Sequence, residues 1–392
     1  MSFFQKFIRF LFCTQLFFNV IFSTSFSKAF NIGDAFNITI YFIMLLSFLV
    51  QVRYLMQMKV AFLILIFTFL SSYYNGFVGL RMGIFINFLS FSAVELAIVS
   101  TTFQNMKVFF KLFYFLYGFI LVLSVFLIAI GINTQPFTGM YMAVKVSGIP
   151  VQIWGLFSDK NTFGFTMMLL FLMSFLLPDF KYKKLILVFT FVFVVLSGNR
   201  SGLLTLCFTL VFSLIIKPEY SISKKLSVAL LASIVLFVIV SIYLNSPLNT
   251  RGVESKDREE LYDIAFSFIN HHFWFGIGRA LIVGGEYIHT HNLYLQVLAE
   301  EGFLCLSIYI ILFLKVLFRA SYSSKILSLS IFIFTAFNPA LVPGNLFTVV
   351  LLIILGRYID DVRTWHALNP PKEQQTLLQI MNMKTIPQES TL

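Results

Sequence analysis

The run VFFKLFYFLYGFILVLSVFLIAIG, residues 108–131, decides the fold class of this chain. Apart from Lys111 it carries no charge, and a helix of about 20 apolar residues is enough to cross the ~30 Å hydrocarbon core of a bilayer. A spanning segment has to pair its backbone groups internally, because lipid offers them no partners. The run therefore predicts a transmembrane helix.

Similar apolar runs recur along the whole chain. Its 392 residues are 59% hydrophobic and 11% charged, and the mean hydropathy is +0.89, which is far from the composition of a soluble globular protein. We predict an all-α fold, a polytopic membrane helical bundle of about 12 transmembrane helices, the first of them retained and the eleventh short enough to be re-entrant. The expected spans are 7–24, 36–52, 60–77, 82–100, 108–131, 161–178, 185–198, 202–217, 226–244, 293–318, 326–337 and 345–359.

Lysine and arginine residues set the predicted orientation, because cytoplasmic loops collect them. With both termini inside, 19 of the 28 basic residues are cytoplasmic, and the large loops 132–160 and 245–292 lie outside. The expected organisation is one membrane domain, 1–360, followed by a loosely ordered cytoplasmic tail, 361–392. The net charge of +11 is mostly this orientation signal, with some attraction for anionic lipid, and no basic cluster interleaved with aromatics suggests nucleic-acid binding.

Polar residues concentrate in GIGRALIVGGEYIHTHNLYLQVLAEEG, residues 276–302, just before and inside the tenth run. His289 and His291 would point in opposite directions in extended backbone, which disfavours a paired zinc site. A histidine at a water-facing mouth can take a proton from a hydroxyl near neutral pH. Glu300 and Glu301 are expected two to three turns inside the span, as a second base, as a group that orients a catalytic residue, or as an internal ion pair.

Two arginines in the outer loops are candidates for binding an anion. Arg200 lies in the turn LSGNRSGLL and could grip two phosphate oxygens, although snorkelling to lipid headgroups also explains it. Arg258 lies in a predicted helix, 255–268, whose apolar stripe would pack on the membrane or on the bundle, and a solvated charge is its simpler explanation. Glu95 and Arg81 in the fourth span raise the same question as Glu300 and Glu301.

Three motifs in this order resemble the bacterial O-antigen ligase and O-antigen polymerase superfamily. They are GLFSDKNTFG at 155–164, the turn SGNRSG at 197–202, and DREELYDIAF followed by GIG, HN-x-YL and EEG between 257 and 302. In the turn, the family often has serine directly before arginine, where this chain has Asn199. The resemblance covers roughly 155–302 and the hydropathy profile.

The resemblance implies a cofactor-free and metal-free transfer of a glycan from undecaprenyl diphosphate to a sugar hydroxyl at the periplasmic face. By its motifs Arg200 and Arg258 would hold the diphosphate, and His291 would act on the acceptor hydroxyl. The supporting residues it implies are Asn292, Glu300, Glu301, Asn161, Lys160 and Arg279.

The expected function is an O-antigen or capsular polysaccharide polymerase of the bacterial inner membrane, multi-pass, with both termini cytoplasmic. It would extend a lipid-linked chain, with a chain-length regulator, a flippase of the same pathway and membrane lipid as partners. The forms of GLFSDKNTFG and HN-x-YL favour it over the nearest alternative, an O-antigen ligase that transfers the glycan to lipid A-core. A lipid-linked oligosaccharide flippase or transporter is the second alternative, and it predicts polar residues near the middle of several spans.

Overall fold

In the computed structural model, the described part of the chain is mostly helical. The residues described are 6–7, 9–11, 13–14, 57–76, 82–100, 106–129, 145–146, 149–150, 156–157, 160–217, 220–244, 256–278, 281–283, 286–288, 290–337 and 346–368. The helices are α1 Lys59–Tyr74, α2 Met82–Val99, α3 Lys107–Ala129, α4 Lys160–Leu176, α5 Lys183–Leu196, α6 Arg200–Ile216, α7 Ile222–Leu244, α8 Lys256–His272, α9 Leu293–Glu300, α10 Gly302–Arg319, α11 Tyr322–Thr335 and α12 Leu346–Leu368.

Strands in the described ranges are confined to two antiparallel hairpins of two residues a side. β1 Lys145–Val146 pairs with β2 Ile149–Pro150, and β3 Ile282–Val283 pairs with β4 Glu286–Tyr287. The predominance of helix confirms the predicted all-α fold class. The number of spans and the extent of the outer loops stay predictions.

Several helices turn a row of large apolar side chains outward. In α3 the exposed residues are spaced seven, four, three and four apart, which places them on one side of the helix. An exposed apolar row of this length is stable only against another apolar phase, and hydrocarbon supplies one. The row consists of Val108, Phe115, Phe119, Val122 and Phe126.

Length and apolar composition together, over the described residues, distinguish two helices from the others. α3 and α10 contain stretches, Lys107–Ser124 and Gly302–Arg319, that are long and apolar enough to cross a bilayer. Five apolar stretches in the described ranges are shorter, and α11, where the short eleventh span was predicted, is a continuous helix of 14 residues. These apolar helices mark the chain as a membrane protein.

Hydrogen bonds between helix ends sort into two groups at opposite ends of the bundle. At one end, the basic end, Lys315 Nζ donates to the Gln57 carbonyl at 2.8 Å and the Tyr322 hydroxyl donates to the Ser213 carbonyl at 2.8 Å. At the other, the site end, Asn75 Nδ2 donates to the Gly276 carbonyl at 3.1 Å. Successive helices therefore run in opposite directions between these two ends, and which end faces the cytoplasm stays a prediction.

Glu95 is the charged residue that joins three helices at the basic end. Its carboxylate accepts hydrogen bonds from the Val60 and Ala61 amides at 3.4 and 2.9 Å, so it caps the first turn of α1 from the neighbouring helix α2. It also forms an ion pair with Lys315 of α10. Glu95 therefore has an internal ion pair, whereas Arg81 lies outside the described residues.

Three sequence expectations about boundaries are wrong. The tenth apolar run is broken after Glu300, so Glu300 and Glu301 lie at a helix break rather than two to three turns inside one span. The outer helix continues to His272 instead of ending near residue 268. The last helix continues to Leu368, so the residues directly after Tyr358 extend α12 instead of beginning the loosely ordered tail that was expected there.

Replacing Glu95 by glutamine should destabilise the bundle. The substitution leaves Lys315 without its anionic partner, and breaking such a pair, with Glu95 buried and Lys315 partly exposed, costs about 2–3 kcal/mol. The measurement is the temperature at which the detergent-solubilised protein loses its monodisperse peak. Asp179→Asn is the matched control, because its pair with Lys183 spans 3.2 Å but leaves the Asp179 side chain fully exposed. Equal melting temperatures for the two variants would contradict the prediction.

Candidate functional site

Arg200 is the first residue of α6, in a turn that Asn199 shapes. The Asn199 side chain caps α6 by accepting a hydrogen bond from the Gly202 amide at 3.1 Å. The Asn199 backbone amide donates to Ser197 Oγ at 3.2 Å. Arg200, which is half-buried, is therefore the first residue of a helix whose N-terminus carries partial positive charge. Asn199 departs from the family pattern but has a clear function as the helix cap.

The first turn of α4 packs directly on this arginine turn. Asn199 Nδ2 donates to the Asn161 carbonyl at 3.1 Å, and Gly164 fits so closely that a Cβ there would lie 2.7 Å from the Asn199 Cβ. Lys160 and Arg200, the first residues of α4 and α6, consequently belong to two adjoining helix N-termini. The start of the motif at 155–164 is only partly described, because residues 155, 158 and 159 lie outside the described ranges.

His291 lies in a tight turn just before α9. Its φ of +53° is in the left-handed region, so the extended backbone expected for this residue is wrong. Asn292 caps α9 by accepting hydrogen bonds from the Tyr294 and Leu295 amides at 2.9 and 3.1 Å, and Thr290 Oγ1 donates to the Asn292 carbonyl at 2.8 Å. Thr290 and Asn292 thus hold the residue between them, and His289 lies outside the described residues.

A glutamine that the sequence analysis missed organises the approach to His291. Gln296 Oε1 accepts from the Thr290 amide at 2.9 Å, while Gln296 Nε2 donates to the Ile288 carbonyl at 3.2 Å and to Glu300 Oε1 at 2.6 Å. The same Glu300 oxygen accepts from the Leu281 amide at 2.9 Å. Glu300 therefore orients, through Gln296, residues 290–292, which we call the histidine loop. The spacing of Asn292, Gln296 and Glu300, four apart on one face of α9, was the signal available in the sequence.

The end of α11 forms hydrogen bonds with both the arginine turn and α9. Ser201 Oγ, next to Arg200, donates to the Phe337 carbonyl at 3.4 Å, and the Tyr294 hydroxyl donates to the Phe332 carbonyl at 2.8 Å. Phe332 lies in the last turn of α11 and Phe337 lies two residues past its end, so both contacts are close to the C-terminus of α11. The start of α6, the start of α9 and the end of α11 therefore meet at the site end.

Residues 273–278, which we call the clasp, cross the break between α9 and α10. The Ile277 and Gly278 amides donate to the Ala299 and Glu300 carbonyls at 3.0 and 2.9 Å, and so satisfy the end of α9. The break needs two glycines in the left-handed region: Gly276 and Gly302 have φ of +61° and +86°. A Cβ on Gly302 would lie 2.5 Å from the Gly276 nitrogen. These glycines allow close backbone contact within the protein rather than with a ligand.

Glu301 faces a different helix from its neighbour Glu300. Its Oε1 accepts from Asn87 Nδ2 of α2 at 3.0 Å, whereas its Oε2 is buried with no hydrogen-bond partner. Glu301 is therefore a contact between the helix break and α2, and the structure does not bring it into the histidine loop. Arg279 and the side chain of Arg258, whose backbone belongs to α8, lie outside the described residues.

An apolar cavity lies next to this arrangement, between α9, α10, α11 and α12. Tyr294, Tyr309 and Thr335 contribute its polar groups, and the rest of its lining is aliphatic or aromatic. A cavity of this character does not suit a diphosphate, because burying a charged group there would lack compensating hydrogen bonds. The cationic and hydrogen-bonding groups lie instead at the surrounding helix ends.

These observations define an all-α membrane protein in which cationic helix N-termini and a histidine loop meet at one end of the bundle. Residues 185–310 match the model of the O-Antigen ligase family, Wzy_C. The match confirms the resemblance to the O-antigen ligase and polymerase superfamily and supports a glycosyltransferase-like activity. It includes Arg200, Arg258, His291 and Glu300, and it begins after Lys160 and Asn161. No protein of curated function matches the chain in sequence.

Replacing Gly164 by alanine should displace the arginine turn. A Cβ would lie 2.7 Å from both the Asn199 Cβ and Ser197 Oγ, and an overpacked contact of this kind costs about 1–3 kcal/mol. Polysaccharide synthesis in cells and the melting temperature in detergent should both fall, because Arg200 moves with Asn199. Gly118→Ala in α3 is the control, since a Cβ there has nothing within 4 Å and alanine favours helix. A Gly164 variant that behaves like the Gly118 variant would contradict this packing argument.

Proposed function

We propose that the protein is a membrane glycosyltransferase that polymerises O-antigen or a capsular polysaccharide. It transfers the growing glycan from undecaprenyl diphosphate to the terminal sugar hydroxyl of another lipid-linked repeat unit, at the outer face of the bacterial inner membrane. The observation that carries the proposal is a pair of hydrogen bonds at the C-terminal end of α11, where Ser201 donates to the Phe337 carbonyl and Tyr294 donates to the Phe332 carbonyl. It supports placing Arg200 and His291 on the two sides of one site.

The donor diphosphate binds at the N-termini of α4 and α6. Arg200 offers two N–H groups to two phosphate oxygens, Lys160 adds a second cation, and the partial positive charge at the N-termini of both helices favours the anion. Arg258 would contribute from α8. Charge accumulates on the diphosphate as its bond to the anomeric carbon breaks, and fixed cations stabilise this charge more in the transition state than in the ground state. This account requires no metal ion.

His291 takes the proton of the acceptor hydroxyl. The acceptor oxygen then forms a bond to the anomeric carbon of the donor glycan, and the bond from that carbon to the diphosphate oxygen breaks, releasing undecaprenyl diphosphate. Gln296, which also donates to Glu300, holds the Ile288 carbonyl and the Thr290 amide, and this contact next to His291 helps to position the histidine. Holding two lipid-linked substrates at one end of the bundle adds the advantage of proximity.

Substitution of His291 by alanine should abolish chain growth while leaving the protein folded. Removal of a general base lowers the rate by about 10²–10⁴. Arg200→Lys should also lower it by at least about tenfold, because lysine cannot bind two phosphate oxygens at once. The readout is the ladder of polysaccharide lengths at matched membrane protein levels. His271→Ala and Arg319→Lys are controls at exposed positions. A normal ladder from the His291 variant would remove this residue from the mechanism.

A ligase that transfers the glycan to lipid A-core is the second candidate, favoured by the description of the matching family. A deletion strain distinguishes the two activities. We expect lipid A-core that carries a single repeat unit, which is the result of losing a polymerase. Bare core, with polymer accumulating on undecaprenyl diphosphate, would instead identify a ligase. A chain-length regulator and a flippase encoded in the same gene cluster would fit the polymerase.

A further inference from the structure

Three aromatic rings form an exposed cluster where the clasp meets α10. The Phe273 ring stacks on Phe303 with centroids 5.1 Å apart, and Trp274 packs edge-on against both, at 5.3 Å from Phe273 and 5.8 Å from Phe303. The three residues are 40%, 57% and 38% exposed in the order Phe273, Trp274 and Phe303. Rings that pack on one another and still face outward need an apolar or interfacial partner.

The cluster continues a row of exposed apolar side chains along α10. Phe303, Ile310, Leu314 and Phe318 are spaced seven, four and four apart and are all exposed, so they share one side of the helix. The opposite side, which includes Cys305, Leu312 and Val316, is buried in the bundle. Since α10 is long and apolar enough to cross a bilayer, its exposed side faces acyl chains, and the three rings lie at the outer end of that side.

The backbone holds the cluster rigidly at this level. The Phe273 carbonyl accepts from the Phe303 amide at 2.8 Å, and the Trp274 carbonyl accepts from the Leu304 amide at 3.4 Å. These bonds satisfy the first amides of α10, so the rings cannot move away without exposing them. On the preceding helix, α8, the polar residues Glu260, Asp263 and Ser267 are exposed and share one side of the helix.

We propose that Phe273, Trp274 and Phe303 form an aromatic anchor that is seated in the headgroup boundary of the bilayer. Indole and phenyl rings concentrate at this depth because one part of the environment is apolar and the other is wet. The anchor binds the lipid surface through its rings and holds the break between α9 and α10 through its backbone. It therefore fixes the depth of α9, and of the histidine loop at its start, relative to the membrane. The proposal does not depend on the reaction that the site performs.

The depth of Trp274 can be measured directly, because the chain has three tryptophans. Substituting Trp154 and Trp365 by phenylalanine leaves Trp274 as the single indole of the full-length protein, which is reconstituted into phosphatidylcholine vesicles. The acyl chains carry bromine either near the headgroup or near the chain end. We expect Trp274 to lose most of its emission in the shallow-brominated vesicles and much less in the deep-brominated ones.

A second single-tryptophan variant is the matched control. Ser267→Trp, in a chain whose three natural tryptophans are phenylalanine, places an indole on the exposed polar side of α8. It should be quenched by aqueous iodide and by neither brominated lipid. Three results for Trp274 would overturn the proposal: quenching by iodide alone, stronger quenching by the deep bromines, or quenching by neither agent. The last would mean that protein, such as a second copy of this chain, covers the rings.

Discussion

Close backbone contact between Gly276 and Gly302 is the constraint on which the site end depends. Both residues have positive φ, and a Cβ on Gly276 would lie 2.5 Å from the Glu300 carbonyl oxygen. The break divides the tenth apolar run into α9, which begins shortly after His291, and α10, which is long and apolar enough to cross a bilayer.

At the basic end, too, groups from one helix form hydrogen bonds with the backbone at the end of another. The Arg357 guanidinium of α12 donates to the Ala97, Ile98 and Ser100 carbonyls, where α2 ends, at 2.6–2.9 Å. The Asp360 carboxylate accepts from the Ser323 amide at 2.9 Å, where α11 begins. Helix ends near a bilayer have little water to pair with, and charges that cap them satisfy both themselves and the backbone. Buried charge at the basic end is thus structural.

Composition predicted helices where α1 to α7 lie, because a run of apolar residues in a membrane has few alternatives to helix. The spans expected at 36–52 and over most of 7–24 lie outside the described residues. The candidate residues Arg200 and His291 could be found from motifs, since polar residues are costly beside spans and therefore stand out. The contribution of Gln296 could not, because its hydrogen bonds to Ile288 and Thr290 exist only when the chain turns at His291, whose φ is in the left-handed region. The pairing of Glu95 with Lys315 was equally hidden, since it joins residues 220 positions apart.

The largest difference from the sequence prediction is the break between α9 and α10, where one continuous span was expected. Hydropathy averages over a window, so EEG at 300–302 reads as two charges tolerated inside a span. The competing explanation needs a partner segment, and the clasp lies more than 20 residues earlier, at 273–278. Its glycines are visible in the sequence, but each is compatible with an ordinary turn. The structure shows what the glycines do together: Gly276 and Gly302 both have positive φ, and two amides of the clasp donate to the end of α9, so the clasp caps the helix at the break. Glu300 is then no longer a charge that a span must tolerate: its half-buried carboxylate accepts hydrogen bonds from the Leu281 backbone amide and the Gln296 side-chain amide, and Gln296 in turn accepts from the Thr290 amide next to His291.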